Sequence, residues 1–122
     1  MTDATALVDR YLAVWNATEP EARRALLDEV FAPDARYTDP LMSVQGRDQL
    51  DAAIAAAQGQ FAGLVFSSGG AVDAHHDIAR FTWNLGPEGQ EPAAIGFDVI
   101  EIDKDGRITS VLGFLDKVPA GM

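Results

Sequence analysis

Two aspartates stand where neither a plain surface loop nor a plain strand asks for them. Asp39 lies in "RYTDPLMS", directly before Pro40 and among Tyr37, Leu41 and Met42. Asp98 interrupts "AAIGFDVIEI", an apolar run of strand-forming residues in which an acidic side chain is disfavoured. Loss of hydration penalises a charged carboxylate and raises its pKa, which brings it into the range useful for proton transfer near neutral pH. A residue before proline is pushed toward extended backbone, so Tyr37 and Asp39 share one face, opposite Arg36 and Thr38. The plainer alternatives are a turn-initiating Asp39 at the surface and an Asp98 on an exposed sheet face. The apolar neighbours of Asp39 and the shared parity of Asp98 with Ile100 and Ile102 weigh toward burial. A buried carboxylate must be paired or protonated, and Asp98, with no lysine or arginine within three residues, is expected to be protonated at neutral pH.

Other groups offer weaker chemistry. His75 and His76 are adjacent, so on a strand they point to opposite faces, and the chain has no third histidine. "DAHHD" therefore predicts a solvated turn and no metal site, with His75 able to reach a cavity mouth if the strand extends. Arg80 in "IARFTW" alternates away from Phe81 and Trp83 and is expected to pair with an acidic neighbour. Trp15, Trp83, Phe97 and Phe114 read as core or pocket wall, and Asp116 is a third carboxylate near the end of the last strand. The chain contains no cysteine, which removes disulfides, thiolate nucleophiles and cysteine-ligated metals together.

The elements that would position these groups fall into two halves. Leu7, Val8, Tyr11, Leu12 and Trp15 recur at helical spacing in "DATALVDRYLAVWNA". Thr18 with Glu21 fits a capping box for a second helix, with Pro20 in its first turn and Leu26, Leu27, Val30 and Phe31 inward. A third helix begins near Gly46 and runs through "RDQLDAAIAAAQ", with Leu50, Ile54 and Ala57 inward. From Leu64 onward the periodicity changes to four strands, "GLVFSSGGAVDA", "DIARFTWNLG", "PAAIGFDVIEID" and "GRITSVLGFLDKV". His76-Asp77, "GPEGQE" and Asp105-Gly106 break them, and such tight turns make the sheet mainly antiparallel. The predicted class is α+β, one domain over residues 1–122, with three helices on a sheet that encloses an apolar pocket if it curves.

At 122 residues with 48% hydrophobic and 23% charged side chains, the chain has the composition of a globular domain. Its formal net charge of −10 opposes nucleic acid and anionic membrane surfaces as partners. No apolar stretch approaches bilayer length, and "MTDATALVDRYL" lacks the pattern of a signal peptide, so a cytoplasmic location is expected. Asn16-Ala17-Thr18 is treated as a chance glycosylation match on the same ground.

The order of helix, helix, short strand ending in "YTDP", helix and four long strands resembles the cone-shaped NTF2-like superfamily, with its cystatin-like curved sheet. Its members include SnoaL-like polyketide cyclases, limonene-epoxide hydrolases, ketosteroid isomerases and scytalone dehydratases, besides non-catalytic transport factors. "FAPDARYTDPLM" is similar to the base segment of the ketosteroid isomerases, which implies that Asp39 is a general base. "GFDVIEIDKDGRI" is similar to the strand that carries their second acid, and "DRYLAVW" to the helix that carries their oxyanion-binding tyrosine. The resemblance thus implies that Asp98 and Tyr11 hold an enolate oxygen, with Trp15 able to take the Tyr11 location. Where many of those enzymes carry an aromatic near the chain's end, this one has Leu115.

Together these features lead us to expect a cofactor-independent isomerase or cyclase moving protons on a hydrophobic ketone or polycyclic substrate. Its site would comprise Asp39, Asp98 and Tyr11, with Trp15, Tyr37, Leu41, His75, Arg80, Trp83, Phe97, Phe114 and Asp116 around the substrate. The alternatives are a non-catalytic pocket for a hydrophobic ligand, or an epoxide-hydrolase-like centre built on Asp98 and Arg80. The resemblance also implies a homodimer through the outer sheet face, where alternation would set Ile100 and Ile102.

Overall fold

The computed structural model describes residues 3–118. Helix α1 spans Ala4–Asn16, and the Asp3 carboxylate accepts from the Ala6 amide at 3.1 Å to satisfy one of its open N–H groups. Its buried stripe is Leu7, Val8, Tyr11, Leu12, Val14 and Trp15. Helix α2 spans Pro20–Val30, and its cap is Glu19, whose carboxylate accepts from Ala22 N at 2.6 Å. The expected Thr18–Glu21 box is therefore displaced by one residue, because Pro20 takes the first helical position and the residue before it becomes the cap. Helix α3 spans Arg47–Gln60 behind Gly46, whose φ of 85° only glycine adopts freely.

Strand β1 (Phe31–Thr38) follows α2 without a loop, so Phe31, expected as a helical residue, starts a strand instead. Strands β2 (Ser43–Gln45), β3 (Val65–Ser68), β4 (Asp73–His75), β5 (Ile78–Gly86), β6 (Ala94–Ile102) and β7 (Ile108–Lys117) complete the sheet. The order is β2-β1-β7-β6-β5-β3, with β4 also on β5, and β1 against β7 is its parallel pair. The single strand expected over 63–74 is two strands, β3 against Trp83–Gly86 and β4 against Ile78–Arg80. Gly69 makes the break: its amide donates to Thr82 O at 2.8 Å, and a Cβ there would sit 2.8 Å from the Thr82 methyl.

Three helices pack on the concave face of this mixed, mostly antiparallel sheet. That face carries Ala79, Phe81, Trp83 and Leu85 of β5 and Ala94, Asp98 and Ile100 of β6. Ile100 is fully buried and Ile102 partly so, which corrects their expected place on the outer face: they share the inward parity of Asp98. The convex face instead shows Phe97 paired with Phe114 and Val99 paired with Leu112, and Phe114 is 59% exposed.

A polar clamp fixes the helices relative to one another. Arg23 of α2, buried, donates through Nε to Asp51 at 2.8 Å and through a terminal nitrogen to Gln58 Oε1 at 2.9 Å. The Gln58 amide in turn donates to the carbonyls of Trp15 and Ala17 at 3.0 and 2.7 Å, satisfying the end of α1. Arg23→Ala strands these acceptors on α3, with Asp51 partly relieved by water. We expect a loss of about 2 kcal/mol in urea unfolding, and a change below about 0.5 kcal/mol would show that the clamp contributes nothing.

Candidate functional site

A cavity of about 600 Å³, counted to its open mouth, lies between the helices and the sheet. Its walls carry six aromatic rings, those of Tyr11, Trp15, Tyr37, Phe61, Phe66 and Trp83, with Leu41, Met42 and Leu115 among the aliphatic groups. Asp39 is the charged side chain on these walls. Trp83 lies over Gly96 of the neighbouring strand, where any β-carbon would collide with the indole. The wall is therefore built by a large residue facing a missing one.

Local chain geometry explains the position of Asp39. Its Oδ1 accepts from the amides of Leu41 and Met42 at 2.8 and 3.0 Å, an Asx turn around Pro40, and its own amide donates to Met42 O at 2.9 Å. Its Oδ2 accepts from the Tyr37 hydroxyl at 2.6 Å. The turn-initiating role and the cavity position thus coexist in one residue. Tyr37 is buried beside it with Arg36 and Thr38 exposed, as strand alternation requires.

Asp98 is 1% exposed and does not reach the cavity surface, because Tyr11 covers it. The Tyr11 hydroxyl donates to Asp98 Oδ2 at 3.0 Å, while Oδ1 has no partner. A β-carbon on Gly113 would stand 2.8 Å from that Oδ1 and 3.2 Å from Asp39 Cβ. Gly113 of β7 thus lies between the Asp98 carboxylate and the Asp39 side chain, and a β-carbon there would crowd both. Burial pushes the Asp98 carboxyl up to about 6. The Tyr11 hydrogen bond and the Trp83 indole pull it back, although Trp83 makes no bond of ordinary geometry to it, and the Asp39 charge adds to the rise. The expectation of a neutral Asp98 at neutral pH was too strong, since Tyr11 favours the anion. Both tyrosines are held well above the usual phenol range, chiefly by burial, with Asp98 next in importance, so both remain donors.

Tyr11, Trp15, Tyr37, Asp39, Leu41 and Trp83 of the expected site residues come together at the cavity, with Asp98 behind Tyr11. Five others do not. His75 is exposed at the end of β4, and no group of three or more potential ligands is placed to hold a metal among the described residues. Arg80 is exposed and pairs with Asp73 at 3.1 Å, so it forms no centre with Asp98; adjacent strand parity sends the two to opposite faces. Phe97 and Phe114 lie on the convex face for the same reason, and Asp116 is exposed. Missed in the sequence were the donor role of Tyr37, the walls Phe61 and Phe66, and the spacer Gly113. A glycine inside a strand signals a close approach, and "VLGFLD" carries that signal.

The Asp98 shift has a consequence for stability. Its pKa is raised in the folded state from 3.8 to about 6, so the native protein holds this proton more tightly than the unfolded chain. The contribution is complete below about pH 4 and is lost as pH rises through about 6, some 3 kcal/mol in all. Asp98→Asn removes the titration. Between pH 5 and pH 8 wild type should lose about 1.5 kcal/mol relative to the variant in urea unfolding, with no further change above pH 8. A pH-independent difference would place the Asp98 pKa in the ordinary range.

No helix among the described residues is long and apolar enough to cross a membrane. The sequence profile of the SnoaL-like domain family matches residues 8–111. A SnoaL-like family protein from Agrobacterium tumefaciens, provisionally named an isomerase, is 38% identical and superposes with a TM-score of 0.87, over 92% of this chain and 96% of that one. A protein from Jannaschia sp. CCS1, provisionally named a SnoaL-like polyketide cyclase, gives 18% identity and a TM-score of 0.69 over 92% and 86% of the two chains. A Catenulispora acidiphila protein with a ketosteroid isomerase-like fold, solved with trimethylamine, gives 20% and 0.71 over 92% and 85%. These two show likeness of fold alone. Comparison with curated protein sequences yields no significant match. With most of its length inside the family profile and a close structural relative over nearly the whole of both chains, the protein belongs to the SnoaL-like domain family, on the NTF2-like fold.

Proposed function

We propose that the protein is a cofactor-independent enzyme that moves a proton on a hydrophobic ketone or polycyclic substrate, with Asp39 as the base. The observation that carries this is a carboxylate fixed on the wall of an otherwise aromatic and aliphatic cavity. A carboxylate offers about four acceptor sites, and two backbone amides with Tyr37 use three of them. One site is left for a substrate proton, on a group already held in place. In the reaction, a C–H bond next to the carbonyl breaks, its proton passes to Asp39, and the electron pair moves onto the carbonyl oxygen as an enolate. Return of the proton to another carbon gives an isomer. Attack of the enolate carbon on a second carbonyl closes a ring, and the alkoxide so formed takes the proton back from Asp39.

Tyr11 is the donor for that oxygen, and Asp98 acts through it. The single Tyr11 proton points at Asp98. To turn it toward an oxyanion, Asp98 must itself take a proton and donate to the Tyr11 oxygen, which its raised pKa favours. Asp98 is on this account a positioning residue. A second reading, a non-catalytic pocket for hydrophobic ligands, is favoured by the Asx turn, which is reason enough for an aspartate before Pro40.

The convex face suits a second copy of the chain. Phe97, Val99, Leu112 and Phe114 form its apolar strip, with Leu112 45% and Phe114 59% exposed. We expect a dimer by sedimentation at micromolar concentration and a monomer for Phe114→Glu; a monomeric wild type would overturn this assignment.

Asp39→Asn keeps the shape and the backbone hydrogen bonds but cannot accept a proton. Exchange of α-protons of bound cyclic and polycyclic ketones in D2O, followed by NMR, should fall by about a hundredfold or more. The melting temperature should be unchanged or raised. Undiminished exchange in the variant removes Asp39 from the chemistry, whereas a wild type that binds these ketones without exchange supports the non-catalytic pocket.

A further inference from the structure

One polar atom of a cavity-lining residue has no partner among the described residues. The indole Nε1 of Trp15 is buried and finds no acceptor, on a side chain only 6% exposed that lines the cavity. A buried donor left unpaired is costly to the fold, so such an atom calls for a function. The ring is not free to turn away. It packs between Tyr37 and Phe66, with centroids 5.5 and 5.4 Å distant, and its backbone carbonyl is held by Gln58 at 3.0 Å.

Tyr11 lies one helical turn earlier on the same face of α1. The Trp15 N–H favours negative charge on the Tyr11 oxygen, although the two form no hydrogen bond of ordinary geometry. The two rings are neighbours, with centroids 6.3 Å apart, although the Tyr11 proton is engaged by Asp98. Among the described residues no lysine, arginine or histidine lines the cavity, and Asp39 stands on its wall with Asp98 behind Tyr11, so a preformed carboxylate or phosphate has no counter-ion there and is repelled. A neutral carbonyl oxygen that acquires charge only during reaction fits both conditions.

We propose that Trp15 Nε1 donates a hydrogen bond to the acceptor oxygen of the bound ligand, so that Trp15 and Tyr11 form a two-donor site for a ketone and the enolate derived from it. The proposal rests on the ketone reading above for its ligand class, but not on Asp39 acting as a base. It makes Trp15 a residue that selects flat, uncharged ketones over hydrocarbons of the same shape and over anionic acids.

The test pairs 2-acetylnaphthalene with 2-isopropenylnaphthalene, which has the same outline and no carbonyl. In the wild-type protein labelled with 15N, the Trp15 indole N–H resonance, assigned through Trp15→Phe, should move downfield with the ketone and stay near its free position with the hydrocarbon. Trp15→Phe should weaken the ketone about three- to tenfold and leave the hydrocarbon within about twofold. Because phenylalanine also removes ring area, a second variant replaces Trp15 with 3-benzothienylalanine, which keeps the bicyclic shape and lacks the N–H. It should reproduce the selective loss. Equal indole shifts with both ligands, a benzothienyl variant that keeps the ketone preference, or no saturable ketone binding at millimolar concentration would each overturn the proposal. An indole shift without α-proton exchange would sink the base assignment and leave this one standing; exchange without the shift would do the reverse.

Discussion

The hydrogen bond from Tyr11 to Asp98, 3.0 Å long and out of reach of water, is the contact on which the interior of this protein depends. It ties the first helix to the middle of the sheet and decides how a charged group survives inside an aromatic core. Desolvation of a carboxylate would be prohibitive without a donor, and one phenol is a partial answer. The balance leaves the Asp98 pKa near 6, close enough to neutrality that the proton on this pair can respond to a ligand. The neighbours are shaped around it. Gly113 offers no β-carbon, so the free oxygen of Asp98 fits against β7, and Asp39 approaches from the other side.

Asp39 solves the same problem differently. Three donors surround it, two of them backbone amides of a turn that proline starts, so the charge is held by local chain geometry. One carboxylate is thus held by its own loop and the other by a distant helix. This asymmetry supports a division of labour in which the accessible group meets the substrate and the covered one adjusts the tyrosine in front of it. Trp15 adds a donor that none of the described residues uses.

Such an arrangement needs rigid walls. The Arg23–Asp51–Gln58 clamp joins the three helices and fixes the carbonyl of Trp15, while Asn16 grips Phe66 of β3 through both its amide N–H and C=O groups, at 2.8 Å each. Contacts remote from the carboxylates therefore hold Trp15 and Phe66 in place on the cavity wall.

Helical periodicity, capping chemistry and the turn signals at His76-Asp77 and Asp105-Gly106 already specify three helices and the long strands, because these are short-range matters of backbone preference. The same holds for the Asp39 turn, which needs only an aspartate, a proline and the next two amides. Which residues meet across the sheet was another matter. Phe97 and Phe114 looked like pocket walls because aromatic residues on strands usually bury, yet sheet parity turned both to the convex face. Ile100 went the other way for the same reason. Arg80 found Asp73 on the adjacent strand and not Asp98, since side chains one residue apart in register face opposite sides. The break at Gly69, the parallel pairing of β1 with β7 and the position of Gly113 between Asp39 and Asp98 all depend on strands distant in sequence. Sequence by itself determined the three helices and the long strands, and that two carboxylates sit in apolar surroundings. Only the tertiary structure decided which faces the cavity, because register and packing against other elements are not local properties of the chain.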